Sequence, residues 1–139
     1  MRNLMQALKL PTSWWKKLVL FGLSTFFIYT GIHHFVNPGF YLSIMPPAFP
    51  LHTEAVYISG FFEVVGGVCV LIPRLRKIAG WGLVALLVAV YPANIYMAIT
   101  PEAFPDIHVA LLYFRLAFQF VFFYWAFSVT QPAYNFSDQ

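Results

Sequence analysis

The sequence predicts an all-α integral membrane protein, a four-helix bundle formed by a single transmembrane domain over residues 1–139. Of its 139 residues, 60% are hydrophobic and only 9% are charged, against about 25% charged in a typical soluble domain. Four apolar stretches approach the roughly 20 residues that a helix needs to cross a bilayer. The basic residues cluster beside these stretches. Such a chain cannot cover itself with a polar surface, so any activity must lie in or beside the membrane.

The four apolar stretches are the predicted spans, and helix breakers or charges bound each of them. Pro38, Pro73 and Pro101 stand at their ends, and Asp106 is placed to cap the fourth helix. The first stretch lacks a small-residue cleavage site, so we expect it to be retained as a span. The predicted spans are Leu18 to Val36, Ala55 to Ile72, Ile78 to Ile99, and Ile107 to Val129.

Lysine and arginine predict the orientation. Seven of the eight basic residues precede the first span or lie between the second and third, and the other two loops contain none. The positive-inside bias therefore puts both termini in the cytoplasm. The same clustering explains the net charge of +3 as a topology signal, so we expect no nucleic-acid binding. Asn3 to Leu10 is a candidate surface helix.

The loop Asn37 to His52 contains four prolines and several apolar side chains but no Asp, Glu, Lys or Arg. It is too apolar for an ordinary solvated loop between helices 1 and 2. We expect it on the outer surface, folded over the helix ends, because irregular backbone at membrane depth needs protein or water to cover it. Two interpretations stay open, a proline-stiffened interfacial loop and a lid over a cavity.

Glu63 and Arg115 are the charged residues deep within the predicted spans, and such a charge needs a partner. Counted from the outer helix ends, both lie roughly 12 to 15 Å deep, which predicts a buried ion pair. Gly60 and Gly67 share the Glu63 stripe, and Gln119 shares the Arg115 stripe. The pair could fix helix register, or one member could contact a ligand; both interpretations stay open.

Further polar side chains lie in the outer halves of spans one and three. Pro92 predicts a kink. Either Asn94 satisfies backbone or side-chain groups near the kink, or the kink opens a small cavity with Tyr91 and Asn94 on its wall. His33 shares a stripe with Tyr29, which favours His33 over His34 as the inward histidine. No His-x-x-x-His or Glu-x-x-His spacing occurs, so a metal or haem site is disfavoured.

Several short motifs, taken together, resemble the DoxX family of small bacterial membrane proteins. The resemblance implies a compact four-helix bundle in a bacterial cytoplasmic (inner) membrane and an association with quinone-linked redox systems. It also implies functional roles for His34, Glu63, Asn94 and Arg115. The motifs are Gly31-Ile-His-His-Phe-Val-Asn-Pro38, Met45-Pro-Pro47, Ser59-Gly-Phe-Phe-Glu63, the turn from Arg74 to Gly82, and Val90-Tyr-Pro-Ala-Asn-Ile-Tyr-Met97.

Three functions stay open on these residues. The first is a non-catalytic subunit or binding module of a membrane redox system, which binds a quinone or another lipid-like molecule. The second is a small carrier or channel built on Glu63 and Arg115, and the third is a metal or haem redox enzyme. No nucleotide or hydrolase motif occurs, so a self-contained hydrolase or nucleotide enzyme is disfavoured. The predicted partners are the bilayer, a lipid-like small molecule such as a quinone, redox-complex subunits and a second copy of the chain.

Overall fold

The computed structural model describes residues 9–132, which form helices and turns without a strand. The prediction of an all-helical chain is confirmed over that range. The candidate surface helix Asn3 to Leu10 lies, apart from its last two residues, outside it. The elements are α1 (Trp14–Val36), α2 (Pro38–Ser43), α3 (His52–Cys69), α4 (Arg76–Ile99), a 3-10 turn (Pro101–Ala103) and α5 (Val109–Ser128).

Three of these helices, α1, α4 and α5, are long and apolar enough to cross a membrane, as a membrane protein requires. The second predicted span differs from the expectation. It forms α3, which has 18 residues and ends at Cys69 instead of continuing to Ile72. His52, Glu54 and Glu63 lie in α3 and lower its mean hydropathy, so α3 is not among the helices that composition alone identifies as spans.

Close packing of α1 against α3 depends on glycine. A Cβ added at Gly60 would lie 2.6 Å from the His34 Cβ, and one added at Gly67 would lie 2.9 Å from the Ser24 carbonyl oxygen. The Ser24 hydroxyl donates a hydrogen bond of 2.7 Å to the Gly67 carbonyl across the same interface. Small residues let two helix backbones approach in this way, so α1 and α3 form one tight pair.

The second pair of helices is α4 with α5, and an apolar core joins the two pairs. Leu20, Leu23 and Phe27 of α1 lie in this core with Leu83 and Leu87 of α4. A hydrogen bond also joins α5 to α1, because the Trp125 indole donates to the Val19 carbonyl at 3.1 Å. The core thus occupies the half of the bundle that contains the start of α1 and the start of α4.

Arg76 ties the two predicted basic clusters together at one end of the bundle, which we call the basic end. Its guanidinium donates to the carbonyls of Val70 (2.7 Å), Leu71 (3.3 Å) and Lys9 (3.2 Å). The Val70 and Leu71 carbonyls follow the last turn of α3, where carbonyls lack helical partners. Arg76 therefore caps α3 and fixes the chain before α1 to the same end.

The segment 37–52 covers the opposite end of the bundle, which we call the far end. It is partly helical, because α2 begins at Pro38 directly after Asn37, and proline suits the first turn of a helix. Ile44 is buried against Met97, Phe104 and Leu112. Helix α5 also starts at the far end. Its N-cap is His108, whose Nδ1 accepts a hydrogen bond from the Ala110 amide at 3.2 Å. The prediction that Asp106 caps this helix is wrong.

Candidate functional site

Polar side chains from all five helices meet in the half of the bundle nearer the far end. Each comes from an otherwise apolar element, where a polar side chain needs a partner. The bundle supplies these partners by bringing the side chains to one level. We call this group the polar cluster; its members are His34 of α1, Tyr41 of α2, Glu63 of α3, Asn94 of α4, and Arg115 and Gln119 of α5.

His34 and Glu63 form the buried centre of the polar cluster. His34 is 6% exposed and Glu63 is 8% exposed, and the His34 Nε2 lies 3.4 Å from the Glu63 Oε2. The other ring nitrogen, Nδ1, lies 2.9 Å from the Val56 carbonyl. A carbonyl only accepts hydrogen bonds, so Nδ1 carries a proton. An attractive contact between Nε2 and Oε2 then requires one further proton, on the imidazole or on the carboxyl.

Tyr41 covers this pair from the far end, a role that the sequence reasoning missed. Its ring stacks on the His34 ring with 3.6 Å between the centroids. Burial raises the pKa of Tyr41 to about 12, so its hydroxyl keeps its proton at physiological pH, and it shares a hydrogen bond of 3.0 Å with the His33 Nδ1. The signal available in the sequence was an aromatic pair, Phe40 and Tyr41, in a loop that had to cover something.

His34, and not His33, is the inward histidine, so the prediction from the Tyr29 stripe is wrong. Tyr29 and His33 do stack on each other, with 6.1 Å between ring centroids. They do so on a more exposed side of α1, because adjacent helical residues point about 100° apart and Gly60 admits only the His34 side of the helix.

A chain of three hydrogen bonds links Arg115 to the backbone near Pro92. The Arg115 Nη2 donates to the Asn94 Oδ1 at 3.3 Å, and the Asn94 Nδ2 donates to the Gln119 Oε1 at 2.9 Å. The Gln119 Nε2 donates to the Leu87 carbonyl at 2.8 Å. Gln119 thus reaches the Leu87 carbonyl, next to the carbonyl that Pro92 deprives of its helical donor. The sequence had suggested Asn94 for the backbone of this region.

Two of the expectations for this region differ from the structure. Tyr91 lies outside the polar cluster and packs edge-on against Phe120, 6.0 Å between ring centroids. Within the described residues, Glu63 and Arg115 form no direct ion pair, because His34 approaches Glu63 and Asn94 accepts from Arg115. They still line the same two cavities.

The polar cluster separates two cavities. The α3–α4 cavity has a volume of about 350 Å³ and is lined mainly by apolar residues, including Ile44, Ile58 and Leu86. The α1–α5 cavity, about 370 Å³, is lined by Phe26, Phe118 and other aromatic residues. All members of the polar cluster except Gln119 line both cavities, so the cluster forms a polar wall between two apolar spaces.

The wall leaves one acceptor unfilled. Oε2 of Glu63 is buried and makes no hydrogen bond with the described residues, since the contact to His34 lacks hydrogen-bond geometry. Residues 9–132 hold no group of three or more His, Cys, Asp or Glu side chains that could bind a metal ion. The arrangement is therefore suited to a molecule with a small polar head and an apolar body.

Comparison with known proteins corrects the family predicted from the motifs. The model of a family described as "Domain of unknown function (DUF8561)" matches residues 23–130. That match, without one to the DoxX family, makes the predicted DoxX membership wrong. Several motif residues have packing roles that many small helical membrane proteins need, such as Gly60 between α1 and α3. No curated protein and no solved structure matches the chain.

Proposed function

We propose that this chain, which belongs to the family described as Domain of unknown function (DUF8561), is a membrane protein that binds a lipid-like small molecule in the α3–α4 cavity. One observation carries the proposal: an apolar cavity of about 350 Å³ ends at a wall of polar side chains with a buried, unfilled carboxylate oxygen. Ligand sites combine apolar walls with a few convergent polar groups in this manner.

The membrane topology that we propose has four crossings, with α3 as the second. The hydrogen bond from Arg76 to the Lys9 carbonyl supports it, because the end of α3 and the start of α1 then lie at the same face. The positive-inside bias puts this basic end, and with it both termini, in the cytoplasm. The polar cluster then lies in the outer half of a four-helix bundle, with the segment 37–52 folded over the outer helix ends.

A quinone remains one example of the lipid-like ligand, but the redox assembly and the bacterial inner membrane do not carry over. Both came with the DoxX resemblance, which the family match overturns. The ligand class therefore rests on the cavity alone. A second copy of the chain is a partner that the apolar outer surface allows, and the test below reports it as well.

A carrier or channel receives less support than a binding protein. A transport path would have to continue from the polar cluster to the basic end through the interior between the helix pairs, and the side chains of Leu20, Leu23, Leu83 and Val70 fill that interior. Each of these side chains is at most 1% exposed. For a metal enzyme, residues 9–132 offer no group of three or more His, Cys, Asp or Glu side chains that could bind the ion.

Native mass spectrometry of the protein extracted gently into lipid discs tests the proposal. We expect the wild type to retain an amphiphilic molecule at about one per chain. Ser59 lines the cavity, so Ser59→Phe should displace that molecule. Ala117 is exposed on α5 and lines neither cavity, so Ala117→Phe is the matched control and should retain it.

Two outcomes would contradict the proposed function. If the wild type carries no bound small molecule, even after incubation with excess membrane lipid, the proposal that it binds a ligand is wrong. If Ser59→Phe and Ala117→Phe retain the molecule equally, the proposal that it binds in the α3–α4 cavity is wrong. The same spectra give the oligomeric state.

A further inference from the structure

The α3–α4 cavity continues into a second apolar space along the same two helices. This space has a volume of about 520 Å³ and extends to Cys69 on α3 and Ile78 on α4, near the basic end. Leu86 and Ala89 line both spaces. We call the combined space the α3–α4 groove. It runs from the polar cluster along α4 over about 16 Å, counting about 1.5 Å per helical residue from Ala89 to Ile78.

Gly82 keeps the lower part of the groove empty of protein atoms. A Cβ added at Gly82 would meet no heavy atom within 4 Å, whereas one added at Gly66 would lie 2.5 Å from a Leu83 methyl carbon. The space beside Gly82 is therefore open. Its polarity changes at one end only, where Glu63 and Arg115 line the upper part.

The chemistry at the polar end indicates what the head of a ligand must offer. A carboxyl oxygen accepts hydrogen bonds, and the Glu63 Oε2 is buried and makes no hydrogen bond with the described residues. A guanidinium donates and cannot accept, and Arg115 lines the same space. A hydroxyl group matches both neighbours, because it donates its proton to Glu63 while its oxygen accepts from Arg115.

We propose that the ligand is a single-chain amphiphile with a hydroxylated head, seated with the hydroxyl against Glu63 and the chain in the α3–α4 groove. This inference rests on the proposed function and names its ligand class. One chain is expected because the groove leads away from the polar cluster along a single path, between α3 and α4.

Photolabelling with two matched probes tests the position of the chain and the head. The first probe is a hydroquinone with a dodecyl chain that ends in a diazirine. The second is an alkyl glycerol with the same chain. Comparison of the two probes shows whether the site prefers a phenol or an aliphatic alcohol. We expect light-induced insertion on α3 between Val65 and Cys69 and on α4 between Ile78 and Gly82. Gly82→Phe should abolish insertion at these positions, and Ala117→Phe should leave it unchanged.

Competition measures the hydroxyl requirement. Unlabelled dodecyl hydroquinone, or dodecyl glycerol, should compete with its own probe about ten-fold better than the corresponding methyl ether, because the ether leaves the buried Oε2 unfilled. Glu63→Leu should remove this preference. Equal competition by the alcohol and its ether would overturn the hydroxylated head.

The outcomes separate this inference from the proposed function. Insertion on α1 and α5 around Phe26 and Phe118 would overturn the chain position while a bound amphiphile still supports the function. Loss of all saturable labelling, together with unchanged retention in Ser59→Phe, would overturn both. Insertion that appears only after dilution to monomers would show that a second copy fills the groove in the oligomer, and would also overturn the inference.

Discussion

A single proton decides whether the contact between His34 and Glu63 is attractive. The Val56 carbonyl fixes one proton on the His34 Nδ1. The His34 Nε2 and the Glu63 Oε2 therefore need a second proton between them for an attractive contact. Both side chains are buried, and a buried polar group without a partner is strongly unfavourable. The two residues should therefore depend on each other for stability more than either depends on the neighbouring Arg115.

A double-mutant cycle checks this dependence at the residue scale. We expect His34→Leu and Glu63→Leu to lower the free energy of unfolding individually by about 2 to 4 kcal/mol, since each leaves the other group unpaired. The double variant should lose less than their sum by about 1 to 3 kcal/mol. Unfolding in mixed micelles by denaturant titration measures all four free energies.

The control cycle replaces Glu63 and Arg115, the pair that the sequence predicted. Arg115 donates to Asn94 instead, so we expect Glu63→Leu and Arg115→Leu to add within about 0.5 kcal/mol. Additivity at His34 with strong coupling at Arg115 would reverse our assignment of the Glu63 partner.

The sequence identified most of the site residues but could not identify their partners. The sequence indicated Glu63, Arg115 and Asn94 because charged and amide side chains are rare in apolar stretches and need a polar partner there. The choice between His33 and His34 depends on helix rotation to within one residue, which only the Gly60 contact decides. The position of Tyr41 over His34 depends on how the segment 37–52 folds, and no local sequence pattern predicts that fold.

At the element scale, glycines divide into those that permit helix contact and those that leave space. Gly31, Gly60 and Gly67 lie where α1 and α3 touch, and Gly82 lies beside the empty groove. Alanine at these sites therefore has opposite expected effects, although the chemical change is the same.

We expect Gly60→Ala to destabilise the protein by about 1 to 3 kcal/mol, because the added methyl group would overlap His34 and the Gly31 carbonyl. It should also weaken ligand retention, since it moves His34 relative to Glu63. Gly82→Ala should leave stability unchanged or raise it by up to about 1 kcal/mol. Denaturant titration of the two variants in the same detergent is the measurement, and equal effects would contradict the packing argument.

Arg76 gives a second prediction at this scale. Arg76→Met should lower the free energy of unfolding by about 1 to 3 kcal/mol, because the Val70 and Leu71 carbonyls lose their donor. Lys77 is exposed and adjacent, so Lys77→Met removes the same charge and should change stability little. Limited proteolysis near the turn between α3 and α4 reports the local effect, and similar cleavage in both variants would argue against the cap.

Helix positions were predictable from the sequence to within a few residues, whereas helix lengths at the membrane surface were not. The first span was predicted from Leu18, but α1 starts at Trp14, because aromatic and basic interfacial residues continue a helix beyond its apolar part. The second was predicted to reach Ile72, but α3 ends at Cys69. Apolarity alone cannot distinguish the end of a helix from a buried turn, and Arg76 caps this one from the next element.

At the scale of the whole molecule, the two ends differ in charge and in covering. The basic end joins Lys9 to the α3–α4 turn through Arg76, and the far end is covered by α2 and the residues after it. An even number of crossings follows from that arrangement if α3 traverses the bilayer.

Cysteine accessibility checks the topology. In a Cys69→Ala background, we expect Glu102→Cys to react in intact cells with a membrane-impermeant maleimide, because Glu102 is exposed at the far end. Lys77→Cys should react only after the membrane is permeabilised. Labelling of both positions in intact cells would mean that α3 does not cross, and labelling of Lys77→Cys alone would mean that the orientation is inverted.

The polar cluster takes at least one side chain from each helix between α1 and α5, and this has a consequence for biogenesis. If α3 crosses the bilayer as proposed, a nascent chain that has inserted α1 to α4 already holds His34, Glu63 and Asn94 in the bilayer, but it still lacks the Arg115 and Gln119 that bond to Asn94. The emerging intermediate therefore carries incompletely matched polar groups in lipid until α5 arrives. Such exposed polarity is a feature by which membrane quality control can distinguish unfinished chains from finished ones, so we expect the arrival of α5 to complete the polar cluster last.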